Sequence, residues 1–263
     1  MRACSLALLF VICIVGLGIP VRAEEPATEE AEAEPQGWGR YGIGTMIHHR
    51  TTSDSSHPGM KPQQTVTEAK RTLVRVTDTH YVLAVEHTFG GRTQRSEEKI
   101  PKAAPPDALT RLIPFAGGSV KSRKVVGTES VTVAGTSYPC TKVELTFPSN
   151  PNARGSSCGG AGAADETFTT TIWEHAEHGI LKMTSTGGWG MDLETTALDA
   201  TFEIAGRRLA CKASTLTQSG VVSKRLDSRD VPGEQVRSET TIDRGPLKSH
   251  VVTELVAFVA KPR

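Results

Sequence analysis

The chain predicts an all-β, mainly antiparallel protein, a curved sheet or open half-barrel built from duplicated hairpin units, with a sandwich as second choice and at most one short helix. Three observations predict it. Beyond residue 37, apolar and polar residues alternate with a period of two over most of the chain, the pattern of strands with one buried face. Gly, Pro, Asn and Asp break that alternation at hairpin spacing. Finally, Val131-Thr-Val-Ala-Gly-Thr-Ser-Tyr-Pro-Cys-Thr-Lys-Val-Glu-Leu-Thr146 is echoed without a gap, 71 residues later, by Phe202-Glu-Ile-Ala-Gly-Arg-Arg-Leu-Ala-Cys-Lys-Ala-Ser-Thr-Leu-Thr217. Ala-Gly, Cys and Leu-Thr recur at the same places. A unit repeated in sequence implies a unit repeated in structure, which places internal repeats near 120–187 and 191–259.

The first 23 residues read as a secretory leader. Arg2 supplies the positive start and Leu6 to Ile19 the apolar run. Pro20 then breaks any helix, and Val21-Arg22-Ala23 offers a cleavage site before Glu24. The run is short for a bilayer span of about 20 residues; an uncleaved anchor is the alternative reading. Residues 24–36 follow as an acidic tether. From Ala23 to Pro35 there are six glutamates and no basic residue, too polar to bury a core. The β-rich domain is then 37–263, and the expected location is secreted or periplasmic.

Within the domain, Trp38 to Arg50 begins the ordered region. Gln64 to Val76 and His80 to Phe89 read as strands joined by Thr77-Asp78-Thr79, with Tyr81, Leu83, Val85, His87 and Phe89 on one face and Gly90-Gly91 closing the segment. Pro101 to Pro114 is the one stretch with helical character, and four prolines keep it to a turn or two. The first repeat gives a hairpin about Ala134-Gly135, with Val143, Leu145 and Phe147 on one side. Ser149 to Asp165 reads as a loop, and Thr167–Trp173 and Ile180–Ser185 as a further hairpin. Past the second repeat come Val221–Leu226, a turn at Val231-Pro-Gly233, Gln235–Ile242 and Lys248–Val259.

The charge balance excludes several partners. The chain has 30 Lys and Arg against 29 Asp and Glu, and Arg2 and Arg22 leave with the leader. Near-neutrality gives no attraction toward nucleic acid or an anionic membrane, and no second apolar run is long enough to span a bilayer.

The candidate chemistry is sparse. Gly155-Ser-Ser-Cys-Gly159 fits G-x-S-x-G, but lacks the strand before and helix after that expose a nucleophile; Ser157 and Cys158 read as loop residues. Glu174-His-Ala-Glu-His178 is the densest group of metal-capable side chains. In an extended strand His175 and His178 point to opposite faces, so a polar hairpin tip is expected rather than a metal site, and no cofactor is implied. Cys140 and Cys211, at equivalent repeat positions, either pair as a disulfide or sit as two small buried side chains. Trp38, Trp173 and Trp189 either line a ligand site or plug a core short of aromatics; Trp173 reads as a plug, whereas Trp189, among glycines, is a candidate ligand contact.

Thr72-Leu-Val-Arg-Val-Thr-Asp78 with Tyr81-Val-Leu-Ala-Val-Glu86, Val133-Ala-Gly135 with Cys140, and Val231-Pro-Gly233 resemble segments of the uncharacterised exported proteins of planctomycete-type bacteria, which carry tandem β-hairpins. A looser similarity is to periplasmic lipoprotein carriers of the LolA type. That resemblance implies a curved antiparallel sheet cradling acyl chains. The expected function is therefore a non-enzymatic envelope protein holding a lipid or other apolar small molecule on a concave sheet. The alternative is a structural or adhesion module that binds an envelope protein through its sheet edges, and a hydrolase using Ser157 or Cys158 comes third.

Overall fold

The computed structural model describes residues 37–56, 58–59, 61–102, 120–148, 167–186 and 190–263. The leader, the tether, the expected helical stretch beyond Lys102, Ser157, Cys158 and Trp189 lie outside them. A 3-10 turn, Gly37–Arg40, opens the fold. Thirteen strands follow: β1 Met46–Ser56, β2 Gln63–Val76, β3 His80–Phe89, β4 Arg92–Pro101, β5 Ser122–Val133, β6 Thr136–Pro148, β7 Thr167–His175, β8 Gly179–Thr186, β9 Met191–Ile204, β10 Arg207–Gln218, β11 Val221–Asp227, β12 Gln235–Arg244 and β13 Leu247–Val259.

All belong to one antiparallel sheet in the order β4-β3-β2-β1-β13-β12-β11-β10-β9-β8-β7-β6-β5. The first and last strands are therefore central neighbours, joined from Met46↔Val259 to Ser56↔Lys248. Beside them Gly42 N–H donates to the Lys261 carbonyl. A β-carbon on Gly42 would stand 2.4 Å from the Pro262 carbonyl oxygen, so only glycine lets the two chain ends lie this close.

Among the described residues no hydrogen-bond ladder joins the edge strands β4 and β5, so the sheet is open. Direction alternates at each of its steps, so these two strands run the same way. The sheet curves, bringing β5 close to β8 and β9. Register breaks in the β1–β13, β2–β3, β5–β6, β7–β8, β9–β10 and β11–β12 pairings supply local bends, since a bulge kinks and twists its strand.

Gly90-Gly91 closes β3 as expected, but a strand that the alternation does not announce, β4, follows directly. The two glycines, at φ +55° and +74°, form the turn into this ten-residue partner strand, which pairs from Phe89↔Arg92 to His80↔Pro101. Its sequence, Arg-Thr-Gln-Arg-Ser-Glu-Glu-Lys-Ile-Pro, is exposed up to Ile100, so it has no buried face to write an alternation. Charge along a free edge also discourages pairing with other chains. The expected apolar face of β3 also ends early: Leu83 and Val85 are buried, whereas Phe89 is 59% exposed.

Three apolar clusters hold the sheet. The largest joins Leu73, Leu83 and Val85 of β2 and β3 to Leu209 and Cys211 of β10, with Trp38 packed among them. The second contains Val143, Leu145, Phe147, Ile172, Met183 and Leu193. The third contains Val131, Val133, Cys140, Trp173 and Leu181. Ile172 and Trp173 are consecutive on β7 and so point to opposite faces; this end of the sheet carries a core on each side.

The two echoed segments occupy matching hairpins. Val131↔Tyr138 and Glu129↔Cys140 in β5–β6 correspond, at the same offset, to Phe202↔Leu209 and Ala200↔Cys211 in β9–β10. Both turns are type I′: Ala134 and Ala205 each have φ +48°, followed by Gly135 at +86° and Gly206 at +75°. Alanine is strained there, because its β-carbon crowds the backbone at positive φ, whereas asparagine is the preferred first residue of this turn. Ala134→Asn and Ala205→Asn are each expected to raise stability by a few tenths to about 1 kcal/mol. Urea unfolding checks this as a higher midpoint at unchanged slope.

Candidate functional site

Where β5 curls over β8 and β9 it encloses a cavity of about 440 Å³. Buried Val131 and Trp173 form its apolar part, the strand backbone at Met183 and Leu193 its floor, and exposed Glu129, Lys182, Asp192 and Glu194 its rim. Register assembles it. Trp173 lies between Lys142 of β6 and Lys182 of β8, and Lys182 is opposite Glu194 of β9, so all four side chains project from one face. The Trp173 ring is 7% exposed. The Lys142 Nζ is 5.1 Å from its centre and the Lys182 Nζ 4.8 Å, within the range of cation–π attraction.

Glu129 completes the arrangement. Lys142 Nζ donates to its carboxylate at 2.9 Å. That hydrogen bond first, and the polar indole N–H of Trp173 second, hold the Glu129 carboxyl below the usual carboxylate range. Among the described residues no ion pair engages Asp192 or Glu194. The expectation of a plug at Trp173 holds as far as burial goes; its place in a cavity wall was not visible in the sequence. The signal that could have exposed it is divergence between the repeats, since Glu129 and Lys142 stand where the second copy has Ala200 and Ala213.

His175 and His178 come together, contrary to the expectation that they point apart. Strand β7 ends at His175, and His178 lies in the following turn, so strand alternation does not apply to the pair. Their rings stack at 4.8 Å, 18° from parallel, with Tyr138 edge-on to both. The His175 Nδ1 accepts the backbone N–H groups of Glu177 and His178, which commits that nitrogen to shaping the turn. Among the described residues no cluster of three or more metal-capable side chains occurs. Other strands fasten the turn: Lys212 Nζ donates to the His178 carbonyl at 3.2 Å, and the Arg229 guanidinium to that of Glu177. Burial pushes the Lys212 ammonium below its ordinary pKa, and burial, then His175, does the same to His178.

Cys140 and Cys211 are both free thiols in separate clusters, so no disulfide joins them in this structure. Each donates to the carbonyl two residues earlier, Tyr138 and Leu209 respectively, and burial raises both thiol pKa values. They behave as small core residues.

His49 is the buried imidazole, 6% exposed, with Nε2 3.0 Å from the Gln235 carbonyl. A carbonyl only accepts, so Nε2 carries the proton of the neutral ring. Burial lowers its pKa in the fold. Below about pH 6.5 the unfolded chain then takes up a proton that the folded one refuses, and stability falls as pH drops. The expected loss is at most about 1.4 kcal/mol per pH unit for this group between pH 6.5 and its lowered folded value. Urea unfolding between pH 7.5 and 5.5 should show a flatter dependence for His49→Gln, which keeps an N–H donor and does not titrate.

Fold and site together define an open, curved, all-antiparallel β protein with a cavity at one end of its sheet; no helix among the described residues is long and apolar enough to cross a membrane. No family model and no curated protein matches the chain. Among solved structures it is similar to the crystal structure of LolA superfamily protein NE2245 from Nitrosomonas europaea, at 8% identity over 85% of this chain and 89% of that one, with a TM-score of 0.28.

Proposed function

We propose that the chain is an exported, non-enzymatic β-sheet protein that holds an apolar or lipid-like ligand on the inside of its curve. One observation carries this: the cavity of about 440 Å³ over Trp173, in which the Trp173 and Val131 side chains lie within a charged rim. That size is within the range of small-molecule sites, roughly 300–1,000 Å³, and such sites combine mainly apolar walls with a few polar groups. The leader supports export. Native mass spectrometry of mature protein purified from its export compartment tests the reading. A bound mass released on denaturation and missing from Val131→Trp, which fills the cavity, is the expected result; a bare protein that also takes up no added single-chain amphiphile would overturn it.

A second reading, a structural module that binds an envelope protein through a sheet edge, draws on β5. There Val125 and Val126 are 57% and 46% exposed on a free edge, in contrast to the charged β4. Sedimentation velocity with and without Val126→Lys tests it, and a strict monomer that captures no envelope protein would count against it.

A further inference from the structure

The cavity favours one class of head group. We infer that its ligand carries an ammonium group, seated over Trp173 on the sheet face that also carries Asp192 and Glu194; this rests on the ligand-binding reading above. Three observations point the same way. The Trp173 ring already draws two amines, Lys142 and Lys182, so the electrostatics of this pocket favour a cation over the indole. The two amines differ in freedom. Lys142 is tied to Glu129, whereas exposed Lys182 makes no ion pair with a described residue and can swing away. The position Lys182 Nζ takes, 4.8 Å from the ring centre, marks where a ligand cation would sit.

Charge around the cavity agrees. With Glu129 neutralised by Lys142, the remaining rim is Lys182 against Asp192 and Glu194. Displacing the Lys182 ammonium leaves two carboxylates that no ion pair engages, on the same sheet face as the ring. An anionic head group would meet these carboxylates as like charges, and a neutral one would leave the ring without its cation.

The test compares three probes with the same twelve-carbon chain: dodecyltrimethylammonium, laurate and dodecyl maltoside. Each is titrated calorimetrically below its critical micelle concentration into mature protein, Lys182→Met and Asp192→Asn/Glu194→Gln. The trimethylammonium probe is expected to bind about tenfold more tightly than the others, the discrimination a desolvated cation–π contact with nearby carboxylates can supply. Lys182→Met should tighten it by vacating the position over the ring, and the double variant should abolish the preference. These are exposed side chains, and an unchanged circular dichroism spectrum confirms the fold. If laurate or the maltoside binds as tightly, or Lys182→Met weakens the trimethylammonium probe, the head-group inference is overturned while ligand binding stands. If no probe binds, the ligand-binding reading falls, and this inference with it.

Discussion

Trp173→Ala is expected to destabilise the protein by about 3–5 kcal/mol, the usual cost of emptying a buried aromatic site, and to abolish binding in the cavity. The size follows from the ring's position. Trp173 is 7% exposed and packs with Val131, Val133, Cys140 and Leu181 on the face of β7 opposite Ile172. No other aromatic ring belongs to that cluster's buried set, so neither smaller neighbours nor the strand backbone can refill the volume. The loss extends to charge, because the indole N–H donor is the second cause, after Lys142, of the lowered Glu129 pKa. Trp173→Phe separates the two roles. It keeps most of the apolar volume but removes that donor, so it should cost less than the alanine variant while relaxing the depressed Glu129 pKa. Urea unfolding of the three proteins, followed by far-ultraviolet circular dichroism, measures the first effect. Nuclear magnetic resonance titration of the Glu129 carboxyl measures the second. A loss below about 1 kcal/mol for the alanine variant would mean that the ring is a surface contact and not part of a core.

Much of this fold is legible in the sequence where burial writes it. Strand β3 begins and ends at His80 and Phe89 as the alternation predicts, and β6 shows Val143, Leu145 and Phe147 facing one cluster. The turn at Ala134-Gly135 stands where the sequence reading puts it. Legibility ends where burial ends. The polar second half of β1, Thr51 to Ser56, and β4 as far as Lys99 lack apolar residues that could mark a face. Strand order is a different gap, since nothing local in β1 or β13 announces that they pair across the length of the chain. The site falls in that gap. Trp173 stands out as a rare aromatic, but Lys142 and Lys182 become its neighbours only through the β6–β7 and β7–β8 registers. The histidine pair misleads for a related reason: period-two reasoning applies up to His175 and fails one turn later.

Leu209→Ala is expected to cost about 2–5 kcal/mol, while Tyr138→Ala, at the matching position of the other hairpin, should cost clearly less. Both face the same cross-strand partner position, Phe202 for Leu209 and Val131 for Tyr138. What differs is the company each hairpin keeps. Leu209 is fully buried against Leu73, Leu83 and Val85 of β2 and β3, strands far from β10 in the sheet order. It therefore helps to hold the curve, and its loss leaves a cavity between elements that no hydrogen-bond ladder joins. Tyr138 is only partly buried at the margin of its cluster, beside His175 and His178, where water can enter and the turn can adjust. The cost of truncation to alanine at two register-equivalent positions thus reports how much curvature each hairpin maintains, the smaller truncation at Leu209 being the costlier. Urea unfolding of both variants gives the comparison, and equal losses would mean that the curve is set by the strand bulges alone and owes nothing to the cluster that bridges its two sides.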